Sequence, residues 1–479
     1  MRTPRDDVAR ARIAVAVVFA VHGTASGTFA TRVPWIRDHL ELGPGALGFA
    51  LVFMTAGATA AMPLADGVTR RLGPRRSLTV LSLGCCLGLV LPPPAPALGA
   101  LCAALFLYGC GLGLLDVAMN AHGVRVEERM GRSVMSGLHG MWSVGALLGG
   151  LLGALAAHAE VDARLHFALL APVLAAVAAT AARWAPDVRD SDVREPDVRE
   201  PDVREPDVQD AAEVPGGKQA RGLARRLASL VALPGRGALA IGLVGFCAVF
   251  AEGASMDWSG IYLRELTGAG PGLAASAYTA FACTMAAARL TGDAAVRRFG
   301  PVRTVRVCGA LAASGGALVV AARTPPAAVA GFALIGVGIA VVVPLCFAAA
   351  GRATDAGAGP RTGEGGAEPR TGDGGGSAAR AIAGVATLAY ASGLAAPAAV
   401  GWIAQVTSLS VSFALVTALL LGLVLGAGAL RAGPRTGRRS GPRTGPRTGP
   451  RTARRRARKR EAGPCPARSA GRAYDIADR

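Results

Sequence analysis

The sequence predicts an all-α membrane protein with twelve transmembrane helices arranged as two parallel six-helix repeats. Three observations predict it. Of 479 residues, 52% are hydrophobic and only 17% are charged, below the roughly one quarter that soluble domains carry. The charge is also segregated, leaving stretches of about twenty residues with almost none, long enough to cross a hydrocarbon layer roughly 30 Å thick as helices. Finally, DGVTRRLGPRR at 66–76 returns 227 positions later as DAAVRRFGPVR at 293–303.

The elements follow in chain order. Span 1, 13–31, is one apolar run without a short h-region and cleavage site, so it reads as a retained helix. Spans 2 (46–65) and 3 (77–93) flank the first basic hairpin. Span 4, 97–121, carries Gly109 and Gly111. Span 5, 134–157, carries Gly145, Gly149 and Gly153 on one stripe, which lets another helix approach closely. Span 6 is 165–184. Span 7, 237–257, holds the acidic EGASMDW. Spans 8 (272–290) and 9 (304–322) flank the second hairpin. Span 10, 327–349, repeats the glycine pair at Gly336 and Gly338. Span 11, 381–401, echoes the stripe with Gly393, Pro397 and Gly401, and span 12 is 409–430. Arg37 with Arg264, and Gly43-Pro44-Gly45 with Gly270-Pro271-Gly272, match at the same offset of 227. An even number of spans per copy keeps the copies parallel, as in transporters whose halves are related by an axis along the membrane normal.

Four regions result: an N-terminal bundle (1–184), a disordered cytoplasmic linker of DVREP repeats (185–235), a C-terminal bundle (236–430) and a disordered basic tail (431–479). The linker alternates acids and arginines with few apolar residues and cannot bury enough surface to fold. With both termini cytoplasmic, the outer loops hold only Arg32, Arg37, Arg164, Arg264 and Arg323 of the 51 Lys and Arg; the opposite orientation inverts that ratio and violates the positive-inside rule. The tail's RTARRRARKR, 451–460, lacks the interleaved aromatics of a single-strand binder. It reads as a contact with anionic lipid rather than with nucleic acid.

The nine cysteines show no metal or redox spacing. No phosphate-binding GxxxxGK[ST] loop is present, and neither HExxH nor GxSxG occurs. The expectation is a protein that is not an enzyme and uses no cofactor or metal.

Ionisable groups inside spans are costly, about 2.5–3.5 kcal/mol each on insertion scales, and mark function. Asp116 and Asn120 stand one turn apart on span 4, with His139 and Trp142 on span 5, His22 on span 1 and Glu252 on span 7. An acid whose surroundings alternate between apolar and wet could bind and release a proton in each cycle. Asp116 and Glu252 are therefore the proton-coupling candidates; His22, Asn120, His139, Trp142 and Trp258 are the substrate-binding candidates. Each has a plainer reading as a packed or hydrogen-bonded core residue. Counted from the span ends, Glu252 lies about 22 Å and Asp116 about 12 Å from the inner surface, which sets them apart. Asp257 is read as the interfacial end of span 7, and Arg289 as either snorkelling to headgroups or pairing with an interior acid, its position favouring the first.

These residues resemble the major facilitator superfamily. Its cytoplasmic signature between helices 2 and 3 runs G-x-x-x-D-R-x-G-R-R, and Arg71-Leu72-Gly73-Pro74-Arg75-Arg76 is similar to its second part. The aspartate is displaced to Asp66, four residues before Arg70; Asp293, Arg297 and Arg298 repeat the departure. The resemblance implies a gating latch formed by these residues. LDVAMN (115–120) and SGLHGMWSVGA (136–146) are similar to helices 4 and 5 of fucose permease-type proton symporters, while EGASMDWSGIYLR (252–264) is similar to uncharacterised bacterial relatives of that branch. Span 1 lacks the carboxylate that those symporters carry. The resemblance implies a monomeric, proton-coupled secondary transporter of a small solute in the bacterial inner membrane. A drug or metabolite efflux antiporter is the alternative within the class; a non-transporting membrane sensor is the alternative outside it.

Overall fold

The structure, a computed structural model, describes residues 4–131, 134–184, 236–355 and 373–431. The DVREP linker, most of the glycine-rich segment before span 11 and the basic tail lie outside the described residues. In the first half the helices are α1 (Pro4–His39), α2 (Pro44–Ala61), α3 (Ala65–Leu72), α4 (Pro74–Gly88), α5 (Leu98–Met130), α6 (Met135–His158) and α7 (Ala163–Trp184). The second half contains α8 (Arg236–Thr267), α9 (Pro271–Phe299), α10 (Pro301–Ala321), α11 (Pro325–Ile339), α12 (Val342–Asp355), α13 (Asp373–Val406) and α14 (Leu409–Gly426). A 3₁₀ turn at Met62–Leu64 joins α2 and α3 into one rod, and α11 with α12 forms another, so twelve rods match the twelve spans. Among the described residues, ten of them are long and apolar enough to cross a membrane. The remaining two, α4 and α9, take the places that their repeat-mates α10 and α2 take in the other half.

Glycine and proline, not hydropathy, set the helix ends. Among the described residues six helices begin with proline, where the missing N–H is one the helix would leave unpaired anyway. Past span 1 the helix carries Pro34 within it and runs on to His39, short of the Gly43-Pro44 turn; α8 likewise runs to Thr267, where Gly268 takes φ 64°. Span 3 errs the other way. Its helix stops at Gly88, because Pro92, Pro93 and Pro94 cannot continue it.

The repeat is visible in backbone detail. Gly73 has φ 77°, ψ 161° and Gly300 has φ 76°, ψ 161°, a conformation open to glycine and strained for other residues. Gly43 and Gly270 cap their helices with almost identical angles. Packing obeys the same symmetry: α1 lies along α6 as α8 lies along α13, and α4 along α7 as α10 along α14. The halves meet where α2 crosses α13 and where α6 crosses α9. Differences in continuity break the match, and the split of α11 from α12 opposite the unbroken α5 is one of them. Pro63 interrupts the rod of span 2, while Leu290 at the same register leaves α9 continuous.

We call the end where α1 starts proximal and the end where it finishes distal. Several crossings between halves lie distally. The Gly45 amide donates to Gln405 Oε1 at 3.1 Å. A Cβ on Gly48 would stand 3.0 Å from the Gly401 Cα, so the two glycines are what let α2 and α13 touch by backbone. Trp258 covers that contact and is fully buried. The Gly145, Gly149 and Gly153 stripe packs on α1 of its own half, against Ala20, Thr24 and Thr31, whereas Gly393 and Gly401 face α2 of the other half. The two stripes that echo each other in sequence therefore do different work in space.

Candidate functional site

Mid-height is where the polar side chains gather, and the helix lengths explain why. Glu252 is 16 residues from the proximal end of α8 and Asp116 is 14 from that of α5, about 24 Å and 21 Å at 1.5 Å per residue. The separation in height expected from the apolar windows is thus corrected. The windows ended before the helices did.

On the first-half side, Asn120 Nδ2 donates to Asp116 Oδ1 at 3.3 Å and to the Asp116 carbonyl at 2.9 Å. One helical turn between acid and amide makes this geometry, since residues four apart share a face. His22 lies within electrostatic reach of Asp116 and is buried between three helices. Trp142 Nε1 donates to His22 Nδ1 at 2.8 Å, which fixes His22 Nε2 as the donor to the Leu112 carbonyl, 3.3 Å away. Both ring nitrogens of His22 are therefore engaged, and its role in this conformation is to tie α1, α5 and α6 together.

On the second-half side, Arg289 donates to Glu252 Oε1 at 3.2 Å, with the two side chains 29% and 21% exposed. The expectation that Arg289 snorkels to headgroups is corrected: an interior carboxylate one helix away holds it. Asp257 is also not an interfacial end, because α8 continues ten residues past it. Glu252 and Arg289 line a small pocket between the halves together with Trp142, Met256, Tyr278 and Met285. His139, edge-on to Phe19 with ring centroids 5.3 Å apart, lies within electrostatic reach of both Asp116 and Arg289.

Tyr278 and Met285 escaped the sequence reading, since an aromatic or a methionine in an apolar span carries no signal until its partners are known. Trp258 stands apart from the group: it is sealed under the distal contact, its indole N–H without a partner. At the proximal end, Arg70 pairs with Asp66 and Arg75 donates to the Arg183 carbonyl. Arg71 and Arg76 are exposed. In the second hairpin Arg297 and Arg298 are exposed, and Arg298 stands 5.6 Å over the Phe299 ring; the side chain of Asp293 lies outside the described residues.

A bundle of two parallel six-helix halves with a polar midplane between them defines the class of membrane transport proteins. The sequence pattern of the Major Facilitator Superfamily matches residues 15–361, and the chain belongs to that family. An uncharacterised transporter of Sinorhizobium fredii is 30% identical over 404 residues, covering 84% of this chain and 93% of the relative. An uncharacterised transporter of the same type from Yersinia pestis is 29% identical over 405 residues, 85% of this chain and 92% of its own. The membrane protein MosC of Rhizobium meliloti is 28% identical over 338 residues, 70% and 74%. Among solved structures, a mutant of the nucleoside transporter NupG superposes with a TM-score of 0.62 at 10% identity, covering 88% of this chain and 99% of that one. FucP in its outward conformation gives 0.52 at 15% identity, with 88% and 98% covered. These two likenesses show the fold.

Proposed function

We propose that this membrane transporter is proton-coupled and carries a small solute by alternating access, with Asp116 and Glu252 exchanging protons. The observation that carries the reading is the mid-height constellation: acids from both halves at comparable height, Glu252 held by Arg289 and His139 within electrostatic reach of Asp116 and Arg289. Two carboxylates kept inside the bundle are costly, and proton coupling accounts for that cost. Rocking of the halves would change the surroundings of both acids together, because the pocket that Glu252 and Arg289 line has Trp142 of the other half as a wall. In this reading Asn120, His139 and Trp142 meet the solute and His22 orients Trp142. Trp258 joins them only when the distal contact opens. The charged hairpins act as the proximal latch.

The proposed setting is the bacterial inner membrane, with both termini cytoplasmic, a monomeric chain, and a basic tail against anionic lipid. A solute screen in vesicles carrying a pH gradient of either sign tests the reading. Asp116→Asn should reduce gradient-driven flux to that of empty vesicles while the protein still inserts and purifies normally. Undiminished flux would remove Asp116 from coupling, and uptake with the opposite gradient sign would make the protein an efflux antiporter.

A further inference from the structure

The repeat places an arginine and an acid side by side at the distal end of both halves. Arg37-Asp38 closes α1, and 227 positions later Arg264-Glu265 occupies the last turns of α8. Adjacent residues on a helix point in different directions and do not face each other, so neither dipeptide can neutralise itself. The acids are also in an unfavourable place, since a helix C-terminus carries partial negative charge. The structure resolves both problems by exchange between halves. Arg37 pairs with Glu265, and Arg264 pairs with Asp38. Each arginine of one copy meets the acid of the other, the pattern that a two-fold axis imposes on a self-complementary contact. Arg37 Nε is further oriented by the Leu42 carbonyl at 3.1 Å.

We propose that this reciprocal pair of ion bridges is the distal gate, a latch that holds the outer mouth shut and must break once in every transport cycle. The inference rests on the orientation proposed above, in which the distal end faces outward. Beside the bridges, with Arg264 as a shared wall, lies a cleft lined by Thr31, Trp35 and Ala157 of the first half and Pro271 of the second. Deeper still, the buried Trp258 N–H has no partner while the mouth is closed. Opening would admit water to it, so closure has an opposing term that the bridges offset. The side chains are 16% to 46% exposed, which keeps each bridge weak enough to break repeatedly.

The test places a cysteine at Ala157 and adds a membrane-impermeant maleimide to intact cells and to inverted vesicles. Modification is read by mass spectrometry at that one thiol, so native cysteines do not contribute. Arg37→Ala and Arg264→Ala should each raise the labelling rate from outside, by roughly 3-fold to 10-fold, and by similar factors because the bridges are equivalent. The exchange Arg37→Glu with Glu265→Arg should return it to within about 2-fold of the parent. With both bridges intact, raising external salt from about 20 mM to about 1 M should also speed labelling, which keeps the test open should a variant fail to insert. Rates indifferent to both neutralisations and to salt, or a rise that the exchange does not reverse, would overturn the gate. Bridge-dependent labelling from inverted vesicles alone would leave the gate standing and refute the orientation.

Discussion

In the middle of α5 the first half carries Asp116 and Asn120; at the same register the second half carries Val343 and Phe347, beside Pro344 at the break between α11 and α12. The substitution runs the other way elsewhere. Glu252 and Arg289 of the second half stand where the first has Ala25 and Met62, and His22 of the first stands where the second has Val249. Positions that shape the chain are kept: Gly109 meets Met54 as Gly336 meets Phe281, and Gly111 meets Cys85 as Gly338 meets Ala312. Duplicated scaffold and divided chemistry teach that the halves are one machine frame with two different inserts.

The strongest way to break this comparison is to move an insert. Asp116→Asn with Val343→Asp restores the number of acids but puts the carboxyl beside Pro344, away from Asn120 and the residues near His139. Flux driven by a pH gradient should stay at the empty-vesicle level, and the added acid should lower yield, in keeping with about 2.5–3.5 kcal/mol for an unsupported charge at mid-bilayer. Recovered flux would mean that the two halves are chemically interchangeable.

A second test gives the second half the residues of the first. Arg289→Met alone leaves Glu252 without its partner and should destabilise by about 1–3 kcal/mol, less than the 3–5 of a fully buried pair because both side chains are partly exposed. Adding Glu252→Ala should restore most of the thermal stability measured in detergent but none of the coupled flux. If the double variant transports, the pair is structural and the asymmetry between halves is incidental.

The fold was legible because duplication wrote it twice: every glycine-proline turn that recurred at the 227 offset proved to be a helix boundary in both copies. The site was half legible. Charged residues inside apolar runs announce themselves, so Asp116, Glu252, His22 and His139 were visible, as were Arg37 and Arg264 as matched residues. Their partners were not. The Arg289 contact with Glu252 spans two helices, and the crossed bridges span two halves; no local pattern encodes either. Heights failed for a related reason, since hydropathy marks the lipid-facing stretch and not the helix, and α5 runs nine residues past its apolar window at the proximal end.

A smaller effect sharpens the comparison at the distal contact. Gly48 meets Gly401 backbone to backbone, whereas its repeat-mate is Ala275, buried with its methyl in place. Gly48→Ala should cost about 1–3 kcal/mol by overpacking, or shift the protein toward distal opening and raise labelling at a cysteine placed at Ala157. Ala275→Gly should cost only about 0.5–1 kcal/mol, through backbone freedom in a helix interior. Equal costs, measured by thermal unfolding in one detergent, would show that the α2–α13 and α6–α9 crossings are equivalent and that the glycine pair has no special place.

The smallest effect expected is none, and it decides whether function resides in the halves at all. Residues 437–479 repeat PRTG and carry an arginine-rich run at 451–460, a composition that offers little apolar surface for docking into a moving bundle. Their attraction is to anionic headgroups, about 1 kcal/mol for each basic residue near the surface, a force that acts on the membrane and not on the midplane. Truncation at 436 should leave both the initial rate and the gradient dependence of transport within about 2-fold in anionic vesicles, and identical in neutral ones. A truncated chain that inserts in the same amount but no longer transports would place part of the mechanism in the tail, and the contrast between the halves would then describe only the pathway and not its control.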